Sequence, residues 1–245
     1  MVKRPLICVI GVRGNLGAST LALHLAGALG GCAVDTRLFG GLDTLAGTED
    51  HNGPRWSNLN LTAHRIAAGS LLETAPRWWQ VPVISGSRLA AASSGDAPRF
   101  SVAPIIETLR AATPVVADLA LDALDGRDEC SLLDEANLTL LIAGRDVLSA
   151  VIAKNVAASC GSKKLLVARC HPGMSLAAHD VSVAAGVPLG PVLAHTPKLA
   201  QPVECGVGPA VSRPRWDKPG RLTSAAPVPV EVAAARLALV VREHS

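Results

Sequence analysis

Residues 8–35, CVIGVRGNLGASTLALHLAGALGGCAVD, place glycines at 11, 14 and 17 after an apolar run and ahead of a stretch with helical spacing. Glycine in such a turn takes positive φ and leaves space for a guest, while the unpaired N–H groups of a helix start favour an anion. The chemistry is the cradling of a phosphate. Hydroxyls follow at Ser19 and Thr20, where phosphate-binding loops place a ligand for magnesium, but position 18, where they carry lysine, is alanine. Two other readings stay open. A glycine turn can serve packing alone. G-x-x-G-x-x-G with Asp35 closing the next strand also suits a variant dinucleotide fold, whose carboxylate bonds a ribose hydroxyl. A short-chain dehydrogenase on that fold needs a catalytic tyrosine, and the chain has no tyrosine. A non-catalytic NAD(P)-binding sensor remains as the dinucleotide alternative.

The elements that must hold this turn read as an α/β alternation, in which short apolar runs ending in small or acidic residues are separated by helical stretches. That pattern implies a mostly parallel central sheet with helices on both faces. Strands are expected at 7–10, 32–34, 81–84, 115–117, 138–143, 165–168 and 189–192. Helices are expected at 19–29, 60–72, 102–111, 131–135, 148–159, 177–185 and 231–241. Residues 93–99 and 206–229 read as loops, the second a mobile segment crowded with Pro, Gly and basic residues that ties a closing helix onto the domain. The whole chain, 1–245, reads as one domain.

Composition narrows the class. The 245 residues are 49% hydrophobic and 18% charged, enough for a full core and unlike a disordered tail. A net charge of +3 gives no strong nucleic-acid or membrane-anchor signal. The six cysteines fall singly, without a CxxC, and read as buried thiols of a reducing cytosol. MVKRPLICVIG enters a strand without an apolar signal segment, and no apolar run reaches bilayer-spanning length. Seven histidines form no HExxH or closely spaced ligand set, and there is no GxSxG.

GVRGNLGAST, residues 11–20, resembles the deviant Walker A loop of the MinD/ParA superfamily of P-loop ATPases, and most of all its CpaE/TadZ branch, where a GxRGGxGAST form replaces KGGxGKTT. Residues 34–59 are similar to the segment after strand two in CpaE-like proteins, with GGLD followed by GxRWxxL. VVADLAL, 115–121, stands at the Walker B strand, and 164–206 follows the MinD-like order of strand, R-x-x-P-G, helix and GVPxxGxV strand. The likeness runs along nearly the whole chain. It implies an ATP or ADP site with magnesium, made by Gly11, Val12, Arg13, Gly14, Asn15, Leu16, Gly17, Ala18, Ser19, Thr20, Asp35 and Asp118. Ser19 and Asp118 would hold the metal, and Arg169 and His195 would lie toward the adenine. It further implies a homodimer with nucleotide at its interface, pilus, secretion or division proteins as partners, and a cytoplasmic address with recruitment to membrane or pole through a partner. CpaE-like relatives often carry a receiver-like domain ahead of this strand, so targeting through one is not expected here.

Four departures from the superfamily's pattern bear on the chemistry. Arg13 takes the signature-lysine position, whose cation in the superfamily reaches a partner's nucleotide. Ala18 removes the in-chain lysine, a gross Coulomb loss of roughly 4 kcal/mol at ~4 Å and an effective dielectric near 20. The second acid of the family's DxD, which helps place attacking water, falls on Arg37, and a cation there is no base. Asn15 replaces a glycine of the cradle. These changes imply a degenerate ATPase with little or no hydrolysis, set against the alternative of an active ParA-like partitioning ATPase. Otherwise Asp35 caps the following turn and Asp118 ends a strand. Trp78 and Trp79 read as filling the core beneath a loop, and the basic residues Arg213, Arg215, Lys218 and Arg221 as a solvated loop, with a contact surface as the alternative for each.

Overall fold

The computed structural model describes residues 3–37, 41–56, 59, 67–86, 101–120, 127–161, 163–210, 212–216 and 226–243. The expected loop 93–99, the first part of the expected helix 60–72, and Lys218 and Arg221 lie outside them.

The strands are β1 (Leu6–Gly11), β2 (Cys32–Asp35), β3 (Arg77–Trp78), β4 (Val81–Ile84), β5 (Val115–Leu119), β6 (Leu138–Gly144), β7 (Lys164–Arg169) and β8 (Leu189–Leu193). They form one eight-stranded sheet in the order β3-β4-β2-β5-β1-β6-β7-β8. All neighbours are parallel except β3 and β4. Every residue of β5 and β6 is buried, which requires cover on both faces and explains runs such as LTLLIAG that do not alternate. Seven of the eight strands match the expected ones within two residues at each end. The two-residue β3 has no counterpart in the sequence reading.

The helices are α1 (Ala18–Leu29), α2 (Leu42–Ala46), α3 (Ala68–Thr74), α4 (Ala103–Arg110), α5 (Arg127–Glu135), α6 (Val147–Ala158), α7 (Ala178–Ala185), α8 (Ala200–Glu204) and α9 (Val230–Glu243). α1 is buried continuously from Leu21 to Ala28 because it packs on the sheet and under α9. It stops at Gly30, whose φ of 67° is open to glycine at no steric cost and whose N–H returns to the Ala26 and Gly27 carbonyls. No helix among the described residues is long and apolar enough to cross a membrane.

The segment expected to be mobile is anchored at both of its described ends. Trp216 lies against Gly27 so closely that a Cβ there would meet its ring at 2.4 Å. The indole Nε1–H donates to His24 Nδ1 at 3.2 Å, and His24 Nε2 bonds the Pro209 carbonyl at 2.9 Å. Beyond the undescribed residues, Val228 bridges to β8 through Val192 and Ala194. Trp78 is buried beside His24, whereas Trp79 is 46% exposed. Of the cysteines, Cys8, Cys32 and Cys160 are buried as expected; Cys130 and Cys170 are half-buried and Cys205 is exposed, which corrects that part of the reading. Burial pushes the Cys32 thiol up to about 12, so it is inert.

Candidate functional site

Parallel strands deliver their following loops to one edge of a sheet, and β2, β5, β1 and β6 are adjacent. At that edge, Gly11, residues 13–20, Arg37, Leu45 and residues 118–120 line an open cleft of about 740 Å³, within the range of small-ligand sites. The loop between β1 and α1 forms its floor. Gly17 precedes α1 at φ 85° and no side chain caps that helix start, so its first amides are left to a guest or to water. Asn15 holds φ 61° where the resembled family has glycine, a conformation asparagine tolerates better than other side chains. Val12 is not on the cleft: it is fully buried, its N–H bonds the Ile142 carbonyl at 3.0 Å, and its valine serves the core.

Arg13, at the signature-lysine position, is bonded within its own chain. Its Nη2 donates to Asp146 Oδ2 at 2.5 Å. Asp146 is itself fixed as the N-cap of α6, accepting from the Ser149 N–H at 2.9 Å and the Ser149 hydroxyl at 3.0 Å. The Arg13 Nε is buried without an acceptor. Asp146 was not picked out in the sequence, although an aspartate three residues before a serine at a helix start is a recognisable cap.

The centre of the site is a cluster of two acids and an arginine. The register of β2 on β5 sets Asp35 directly beside Asp118. Both carboxylates are buried, at 0% and 2% exposure. Arg37 spans them: Nε donates to Asp35 Oδ1 at 2.8 Å and Nη2 to Asp118 Oδ2 at 2.5 Å. Ser19 Oγ donates to the same Asp118 oxygen at 2.6 Å and lies 3.4 Å from Arg37 Nη2. Burial pushes the Asp118 carboxyl up to about 6, opposed by Arg37 and reinforced by Asp35.

Magnesium was expected on Ser19 and Asp118. It takes oxygen ligands at 2.0–2.1 Å in near-octahedral order. Here the two groups hold each other, and the guanidinium stands against both. A divalent ion about 4 Å from that guanidinium meets a gross repulsion of roughly 8 kcal/mol at an effective dielectric near 20. The residues as arranged do not fit the ion.

Asp35 is not on the cleft either. Its two oxygens accept from the Arg37 N–H and Nε, the Leu42 N–H at 3.0 Å and the Ser85 hydroxyl at 3.2 Å. Four donors use the lone pairs a carboxylate offers, leaving none for a ribose. The motif that follows builds the bracket around it: Trp56 Nε1 donates to the Asp35 carbonyl at 2.8 Å, and the buried Arg55 bonds the Thr48 carbonyl at 2.7 Å. Arg169 and His195 sit at the ends of β7 and β8, on the same edge but off the cleft lining. Arg169 Nη1 donates to the Ala194 carbonyl at 2.8 Å, and the His195 ring meets that of His171 edge-on.

No family model matches the chain, and no curated protein sequence matches it. Solved structures do. The chain is similar to a ParA family ATPase from Chlorobium tepidum, at 12% identity and a TM-score of 0.70 over 97% of this chain and 98% of that one. It is similar to the cell division ATPase MinD of Pyrococcus furiosus, at 20% identity and 0.66 over 98% and 99%. A third is the septum site-determining protein MinD from Pyrococcus horikoshii, complexed with Mg-ADP, at 19% identity and 0.60 over 98% and 96%. The fold is that of the MinD/ParA P-loop ATPases, as the glycine loop implied.

Proposed function

We propose that this protein is a degenerate, adenine-nucleotide-binding relative of the MinD and ParA ATPases, working as one domain and with little or no hydrolysis. The observation that carries this reading is Arg37. A guanidinium locked between Asp35 and Asp118 occupies the place from which the resembled family positions attacking water, and it can neither accept a proton nor act as a base. Ala18 removes the lysine that would neutralise charge on the transferring phosphoryl. The loop amides, the bare start of α1 and the cleft volume still suit a polyphosphate. The Mg-ADP of the Pyrococcus horikoshii protein supports nucleotide as the guest. The burial of Asp35 speaks against the dinucleotide sensor.

The protein acts by nucleotide-dependent dimerisation, as a positioning or assembly factor for a division septum or a CpaE/TadZ-type pilus or secretion machine. Val147, Leu148 and Val151 are more than half exposed at the start of α6, beside Asp146 and Arg13. Such a patch at the cleft rim suits a second copy. Measuring phosphate release from the wild type and from an Ala18→Lys, Arg37→Asp double variant tests the reading. Turnover confined to the double variant supports it, and robust wild-type turnover overturns it.

A further inference from the structure

We propose that Arg37 takes the place of a divalent cation, so that the cleft binds the polyphosphate of ATP or ADP without magnesium. The proposal rests on the nucleotide reading above and specifies its chemistry.

A cation that serves a polyphosphate has to be fixed and has to face the guest. Arg37 meets both conditions. Its position is set from two strands, by Nε on Asp35 at 2.8 Å and Nη2 on Asp118 at 2.5 Å, while its backbone N–H also reaches Asp35 Oδ1 at 3.0 Å. Such a fork is pre-organised, so little is lost on meeting an anion. Both acids are buried, whereas 38% of the Arg37 side chain is exposed, on the wall of the cleft that Ser19 and the glycine loop share. The guest therefore meets the guanidinium, with the carboxylates behind it. Planar N–H groups suit phosphate oxygens.

The same bonds exclude the ion. Arg37 Nη2 lies 2.5 Å from Asp118 Oδ2 and 3.4 Å from Ser19 Oγ, so its positive charge stands against both groups that would ligate a metal. The second acid of the resembled family's pair is absent, and a cation stands in its position. A protein of this kind would respond to nucleotide irrespective of magnesium supply.

The test is equilibrium binding of ATP and of ADP to the full chain, by calorimetry, in excess EDTA and in millimolar magnesium. Dissociation constants within about threefold of each other are the expected result. Binding tenfold or more tighter with magnesium overturns the proposal and leaves the nucleotide reading standing; binding in neither buffer overturns both. Arg37→Gln, with folding checked by circular dichroism, is expected to weaken binding in EDTA at least tenfold. A folded Arg37→Gln protein that binds in EDTA like the wild type overturns the role given to Arg37. Should that variant not fold, the wild-type comparison of the two buffers decides by itself.

Discussion

Asp35 and Asp118, far apart in sequence, are register partners on adjacent parallel strands, and a single guanidinium, that of Arg37, is bonded to both. Two buried carboxylates side by side repel each other and pay for desolvation, so the cation between them has a structural role.

Removing Arg37 strands the two acids. Arg37→Ala is expected to lower stability by about 2–3 kcal/mol at pH 7, toward the low end for breaking a buried pair because the arginine is partly exposed. Urea unfolding checks this, and a loss under 0.5 kcal/mol would show that the acids need no partner.

Asp118 gives the stability a pH dependence. Its folded value of about 6 lies above the ordinary 3.8, so the folded chain holds a proton there that the unfolded chain has released. That contribution is fully present below pH 3.8 and is lost as the pH rises to 6, a fall of roughly 3 kcal/mol at most. The difference in unfolding free energy between wild type and Asp118→Asn, measured from pH 4 to 7, is expected to drop across this window. A flat difference would contradict it.

His24 slopes the other way. Burial against Trp78 and Trp216 lowers its value below the ordinary 6.5, so the unfolded chain takes up a proton first. Its contribution is present above 6.5 and declines as the pH falls from there. His24→Gln removes the titrating ring, so the wild type should lose stability relative to that variant on acidification from pH 7 to 5. Tryptophan fluorescence during unfolding reports on the same contacts, and an unchanged difference would place His24 outside the core it is seen to join.

The exposed patch of α6 predicts a variant in dimerisation. Leu148, 57% exposed, has little folded-state role, so Leu148→Glu should leave the melting temperature within about 2 °C while abolishing any nucleotide-induced shift in size on a light-scattering column. A variant that still dimerises puts the interface elsewhere.

The glycine loop was legible because strand, turn and helix are local patterns: an apolar run, glycines at 11, 14 and 17, then 3.6-residue spacing through α1. The sheet was legible for the same reason. α2 and α8 have five residues each and β3 two, too short to show a period. What the residues around Arg37 do was not legible, because it depends on register. No local feature says that Asp35 turns inward to Ser85 and Leu42, or that Asp118 faces it across β2 and β5. The Arg13–Asp146 pair likewise joins two loops separated by 133 residues. The charge reversal at Arg37 was visible in the sequence, and only the register explains what the charge does.

The most direct test of the account is to incubate the purified protein with ATP labelled on the α-phosphate, isolate the protein, denature it and identify the nucleotide it retained. The account predicts stoichiometric label recovered as ATP after an hour. Label recovered as ADP would contradict the loss of hydrolysis, and protein recovered without label would contradict the site itself.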